Sequence, residues 1–210
     1  MFEFPRFATG DPRHAVELVR AHPFAMVVTA VGGAPVATHV PVIVDGSVET
    51  SFVGATLLGH MARVNPHWRD FADAPEVLAV FTGPHGYVSP TVYATDPAVP
   101  TWDYAAVHLT GRVELIDDSA GILDVVERTV TALESPLSPQ WHPTPKSRDR
   151  FASLLSGVMA FRVHVTAERS LFKLSQDGDA DRRGRVRDAF RNGPYQNAPL
   201  ADLMDRVDPA

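Results

Sequence analysis

His60, one of nine histidines in this 210-residue chain, sits in the segment Gly59-His60-Met61-Ala62-Arg63, which reads as a strand-to-helix transition. Free N–H groups at a helix start carry partial positive charge and suit a phosphate or carboxylate. Arg63 on the next turn would add a bidentate donor. The segment is therefore the preferred anchor for a cofactor's anionic group, although a helix cap with a surface arginine has the same signature. In Thr38-His39-Val40-Pro41, His39 alternates with apolar neighbours, as a half-buried, hydrogen-bonded strand histidine would. Two turn-rich stretches, Gly83-Pro84-His85-Gly86-Tyr87 and Pro100-Thr101-Trp102-Asp103-Tyr104, bring aromatic rings to either side of a strand. Such rings suit the walls of a pocket for a planar group. Phe172-Lys173-Leu174-Ser175-Gln176 places an ammonium, a hydroxyl and an amide at a strand end, where they could clamp phosphate, propionate or the polar edge of a ring.

Other chemistries lack their signatures. The chain has no glycine-rich dinucleotide fingerprint, no phosphate-binding P-loop, no Gly-x-Ser-x-Gly elbow and no HExxH pair. It has no cysteine, which excludes disulfides, zinc–thiolate sites, iron–sulfur clusters and thiolate ligation of heme.

A hydrophobic content of 45% with 21% charged residues is that of a globular protein with a sizeable core. The net charge of −6 disfavours nucleic-acid binding as the main activity. Arginines 182, 183, 185, 187 and 191 are interleaved with Asp179, Asp181 and Asp188, the pattern of a solvated helix face. No secretory signal and no apolar run near the roughly 20 residues of a membrane span is visible, so a soluble, cytoplasmic protein is expected.

These residues must be positioned by an α+β arrangement. A helix is predicted over 14–21, capped by Asp11, and a hairpin pairs 24–31 with 35–44 across Gly32-Gly33. Asp45-Gly46 turns into a third strand at 48–53. Residues 58–71 read as a short helix interrupted near Pro66, residues 76–82 as a strand, and 90–104 as a long ordered loop. Further strands are expected at 105–116, 158–166 and 169–174, and helices at 118–133, 147–155 and 179–190. Strands early and helices late indicate α+β rather than βαβ, in one domain over 1–210 with a helical C-terminal segment from about 177.

Read in order, Thr38-His39-Val40-Pro41, the segments 59–68, 83–90 and 99–108, and Phe172-Lys173-Leu174-Ser175-Gln176 resemble the PaiB-type family, often described as FMN-binding negative transcriptional regulators. The resemblance runs from about Phe2 to the C-terminal helix and implies the FMN-binding split β-barrel, as a homodimer with cofactor sites near the subunit interface. Thr56-Leu57-Leu58-Gly59-His60-Met61, the Tyr87-to-Tyr93 stretch and the arginine-rich segment after Gln176 are similar to a heme-dependent subgroup, the piperazate synthases. Trp102-Asp103-Tyr104-Ala105-Ala106-Val107-His108 looks more like the ordinary PaiB form.

The subgroup resemblance implies heme b, with FMN as the alternative, and ring closure of L-N5-hydroxyornithine to piperazic acid through an N–N bond. It implies His60 as axial iron ligand. Arg63 and Lys173 are the candidates for propionate or substrate carboxylate, and Tyr93, Trp102 and Tyr104 for the pocket wall. Lys173 and Tyr93 are the candidate catalytic residues; His39, Ser175 and Gln176 complete the candidate cofactor contacts. The ordinary family form implies a flavin-binding regulator or oxidoreductase.

Overall fold

Period-two alternation builds most of this molecule, a computed structural model that describes residues 1–193 and 196–207. Six strands carry it: β1 (Phe24–Thr29), β2 (Val36–Asp45), β3 (Thr56–Ala62), β4 (Glu76–Val88), β5 (Thr101–Ile116) and β6 (Val158–Lys173). They close an antiparallel barrel in the order β1-β2-β3-β6-β5-β4, sealed where Met26 of β1 pairs with Val80 of β4. The interior is filled from every strand by residues such as Val27, Val42, Leu57, Phe81, Val107 and Phe161, none more than 1% exposed.

Helices close the ends and one side. Helix α1 (Arg13–Ala21) drives Leu18 over Gly83, where an added Cβ would lie 2.8 Å from Leu18 Cδ1. After a turn at Pro66–Arg69, the single-turn α2 (Asp70–Asp73) buries Phe71. Helix α3 (Ser119–Glu134), capped by the Asp118 carboxylate on the Gly121 N–H at 2.8 Å, lays Ile122 and Val125 on Ile43, Leu58, Ile116 and Ala160. Helix α4 (Pro145–Leu154) leads into β6. Helices α5 (Ala180–Asn192) and α6 (Ala198–Val207) pack on β4, with Phe190 and Leu200 against Gly86.

The hairpin, the helices near 119, 145 and 180 and the strand at 105–116 lie close to expectation. Other boundaries differ. The third strand is 56–62, not 48–53, and the helix expected over 58–65 is that strand. Leu57 and Met61 face the interior while Leu58 lies under α3, so β3 is apolar on both faces and hides its alternation. Segment 46–55 instead loops back, tied by the Phe52 N–H to Glu168 Oε2 at 2.8 Å. Strand β5 begins at Thr101, inside the expected loop, and 158–173 is one unbroken strand rather than two. Helix α6 had no counterpart in the sequence reading.

Nor is α5 simply a solvated face, since Val186 and Phe190 are buried. Its arginines are engaged within the chain: Arg187 and Arg191 on Asp205 at 2.9 and 2.8 Å, Arg185 on the Tyr93 carbonyl at 2.7 Å, and Arg182 3.8 Å above the Tyr93 ring. Among the described residues, no helix is long and apolar enough to cross a membrane.

One buried histidine ties the hairpin to the turn after β3. His67 is 1% exposed; its Nε2 is 2.8 Å from Thr29 Oγ1 and its Nδ1 2.8 Å from Thr38 Oγ1. Burial pushes its pKa below the ordinary 6.5, so the folded state favours the neutral ring. That contribution to stability is present above about pH 6.5 and is lost as pH falls through the lowered folded-state value. His22, His60 and His108 are shifted in the same direction by burial. Urea unfolding should therefore show falling stability from pH 7 to pH 5, with part of that slope missing in His67→Gln. His67→Ala should cost about 2–4 kcal/mol at pH 7, through two buried hydroxyls losing their partner and the cavity left behind.

Candidate cofactor-binding site

Paired residues in an antiparallel sheet project from the same face. Phe24 pairs with Pro41, and the β2–β3 register, carried one residue beyond Val42–Gly59, sets Pro41 beside His60. His60 pairs with Ala160, and Ala160 with Ile116. The barrel thus presents an outward row of Phe24, Pro41, His60, Ala160 and Ile116. Helix α3 and Leu155 cover the end formed by Ile116 and Ala160; the other end is open, with Phe24 65% exposed.

His60 is the one polar side chain in that row. Its ring makes no hydrogen bond to any described residue, and Nδ1 is buried without a partner. Burial pushes its pKa below 6.5, so the imidazole is neutral at pH 7. A buried ring nitrogen left unpaired is costly and uncommon. Its position depends on Gly59, where an added Cβ would lie 2.5 Å from Phe161 Cζ. Only glycine lets β3 lie this close to the Phe161 ring.

His39 is next to the row, but differs from the half-buried, hydrogen-bonded residue expected. It is exposed and stacks on Phe24, with centroids 5.7 Å apart. Arg63 borders the row at its β5–β6 end. Its Nε donates to the Val158 carbonyl at 3.3 Å and Nη2 pairs with Asp117 at 2.6 Å. Gly59 to Ala62 are strand residues, so the expected anion site at a helix start does not exist there; any anion binding in this segment falls to the Arg63 side chain.

The remaining candidates gather elsewhere. Lys173 lies thirteen residues along β6 from Ala160, the partner of His60, or roughly 40 Å of strand at about 3.3 Å per residue. Its ammonium donates to Thr101 Oγ1 and to the Trp102 carbonyl, the latter at 2.8 Å, and lies 3.6 Å from Asp103 Oδ1. The ammonium thus makes two hydrogen bonds and one ion pair, and Asp103 Oδ1 has no hydrogen-bond partner among the described residues. Ser175, at φ 61°, donates to Asp103 Oδ2 at 2.6 Å. Gln176 turns both ends of its amide onto backbone, accepting from the Leu174 N–H at 2.6 Å and donating to the Phe172 carbonyl. The group expected to clamp a ligand is instead engaged in holding the strand end.

Asp103, absent from the sequence candidates, is the hub of that group. It is fully buried, and burial raises its pKa against the lowering effects of Ser175 and Lys173. Its inward position, in phase with Ala105 and Val107, was the available signal. Nearby, Trp102 is 49% exposed and donates its indole N–H to His85 Nδ1 at 3.3 Å, with Tyr87 at 6.2 Å between ring centroids. Tyr104 lies on the same outer face, paired with His85 and Lys173. Tyr93 is no open pocket wall: it is 1% exposed, beneath Arg182, and its buried hydroxyl has no partner among the described residues.

Two clusters therefore lie at opposite ends of the long strands, one centred on His60 and one aromatic, around Trp102. Among the described residues no three metal-ligating side chains converge, so a metal held through His60 would need most of its ligands from a prosthetic group.

Residues 1–167 match the family model described as "Putative FMN-binding domain". The chain belongs to this family. It is 30% identical over 191 residues to the protease synthase and sporulation protein PAI 2 of Bacillus subtilis, covering 89% of this chain and 88% of that protein. Among solved structures, the FAD and heme binding protein of Mycobacterium smegmatis aligns at a TM-score of 0.56 with 19% identity, over 84% of this chain and 77% of that one. The flavocytochrome Anf3 of Azotobacter vinelandii aligns at 0.54 with 15% identity, over 77% and 67%. The fold is the α+β split barrel. The family match ends at 167, within β6, so Lys173, Ser175 and Gln176 lie beyond it.

The contact under His60 gives a direct test. Gly59→Ala should lower the unfolding free energy by about 1–3 kcal/mol, because the fully buried Phe161 ring has no room to retreat. Denaturant titration measures it, and an unchanged midpoint would show that β3 and Phe161 separate without cost.

Proposed function

We propose that this protein is an oxidoreductase that holds a planar redox cofactor against the outer barrel face around His60, in a homodimer whose second chain completes the site. The observation that carries this reading is the open part of the row, Phe24, Pro41 and His60, an apolar strip that carries one neutral, unpartnered imidazole and ends where Ala160 and Ile116 pass beneath α3. An apolar surface with a few placed polar groups is what a flat ring system requires. The aromatic cluster around Trp102 is too far along the strands to reach His60 within one chain, which supports a site shared between two copies.

FMN is the first reading, supported by membership of a family whose description names that cofactor. The flavin ring would lie on the open part of the row, Phe24, Pro41 and His60, and Arg63 is the cation available to its phosphate. When bound, the flavin would supply electron or hydride transfer. The apolar row would exclude water, and His60 would offer a neutral nitrogen at the ring edge. Direct DNA binding gains no support from α5, whose arginines 182, 185, 187 and 191 are engaged internally.

Heme b is the second reading, favoured by the unpaired imidazole: a neutral histidine nitrogen is a common axial ligand of heme iron. Arg63 would then face a propionate. When bound, the iron would polarise the N–O bond of a hydroxylated amine such as N5-hydroxyornithine, the chemistry of piperazate formation. The chain's part would be to exclude water and to hold the amine close. In either reading Lys173 acts as a support for the strand end through Asp103, and Tyr93 as a packed residue.

Absorption of the purified protein decides the cofactor: paired visible bands with yellow fluorescence on denaturation indicate flavin, a Soret band heme. Colourless protein that takes up neither FMN nor hemin would end both readings. His60→Ala should change the iron spin state if heme is bound, and the flavin's environment and affinity if FMN is. Asp117→Asn should tighten either cofactor by up to about fivefold, because an exposed ion pair worth about 0–1 kcal/mol no longer competes for Arg63. Fluorescence or absorbance titration reads that change.

A further inference from the structure

A groove of about 760 Å³ runs between the C-terminal half of α1, β2 and the C-terminal end of α3, a size that suits an organic ligand. Its apolar lining includes Val19 and Ile43, at most 7% exposed, and Leu133, 38% exposed, stands on one side. Glu17 and Arg20 also line it, three residues apart and so on one face of α1.

Both charges are available. Among the described residues Arg20 makes a single hydrogen bond, from Nη2 to the Val48 carbonyl at 3.2 Å, which leaves most of its five guanidinium N–H groups without a described partner. Neither Arg20 nor Glu17 forms an ion pair among the described residues. Arg13, the cation one turn before Glu17, is held by Asp11 at 2.5 Å. The last turns of α1 and α3 both reach the groove through Ala21 and Leu133. The groove also adjoins the His60 row: Pro23 and Val42 line it, and the next residues, Phe24 and Pro41, belong to the row.

We propose that this groove binds a zwitterionic amino acid with an extended apolar side chain, its carboxylate on Arg20, its ammonium on Glu17 and its side chain against Ile43 and Leu133. Such a ligand would lie alongside the cofactor face. Binding itself does not depend on which cofactor that face holds.

Calorimetric titration of the full-length protein with L-norleucine tests this. Saturable one-to-one binding is expected, weakened at least tenfold by Arg20→Gln and severalfold by Glu17→Gln. Both positions are exposed, and circular dichroism checks that the variants fold. Hexanoate and norleucinamide, each lacking one charge, should bind at least tenfold more weakly, and Leu133→Trp should block binding by filling the groove. No heat with norleucine, or equal affinity in Arg20→Gln, overturns the proposal. So does a dimer, detected by sedimentation, that Leu133→Asp dissociates, because the groove would then be the seat of a second copy. Amino-acid binding by a protein that takes up neither FMN nor hemin would remove the cofactor reading alone; cofactor uptake without amino-acid binding would remove only this one.

Discussion

Strand β3 is confined from both sides, and the candidate site depends on that constraint. Leu57 and Met61 anchor it in the barrel interior, while Leu58 is pinned beneath α3. Gly59 lets its backbone press onto the Phe161 ring. With those four positions committed, His60 has no choice of direction: it projects outward just past the edge of the helix that covers its neighbour. An imidazole in that place is held by the backbone rather than by hydrogen bonds of its own. That is why its ring stays unpaired and neutral.

The polar groups farther along the barrel show the opposite arrangement. Lys173, Ser175 and Gln176 look like ligand-binding residues by type, but the fold directs them at Asp103 and at the backbone of the strand end. A buried carboxylate without partners would be costly, and this cluster offsets part of that cost, with Ser175 on Oδ2 and the Lys173 charge facing Oδ1. A residue's chemistry is available to a ligand only when the fold leaves it unsatisfied. By that criterion His60 and part of Arg63 qualify, while the 173–176 segment does not.

Much of the fold was legible in the residues themselves. Alternation marked β1, β2 and most of β5, and Asp118 marked the start of α3. The family resemblance carried the split barrel. Strand β3 was misread because burial on both faces erases the two-residue period that identifies a strand. Strand β6 reads as two pieces because Thr166 bulges from it, unpaired between Val165 and Ala167, at the start of the mostly polar run Thr166–Ser170. Of the site, His60 and Arg63 were found by motif, but their surroundings were not. Phe24, Pro41 and Ala160 come from three different strands, and only the pairing register sets them in line. Asp103 was overlooked because a lone aspartate between two aromatic residues reads as a loop when the strand's start is placed too late.

The hydrogen bonds around His67 have a direction. Asn65 Nδ2 donates to Thr38 Oγ1 at 3.1 Å, and at the far end Thr29 Oγ1 donates to Asp70 Oδ2 at 3.5 Å. An amide nitrogen gives protons only and a carboxylate takes them only, so every proton between them points the same way. The ring proton therefore belongs on Nε2, facing Thr29, while Thr38 gives its hydroxyl proton to Nδ1. A second ring proton would meet the hydroxyl proton of Thr38 head-on. That hydroxyl would have to swing away, breaking the relay where the β1–β2 hairpin meets the turn that follows His60.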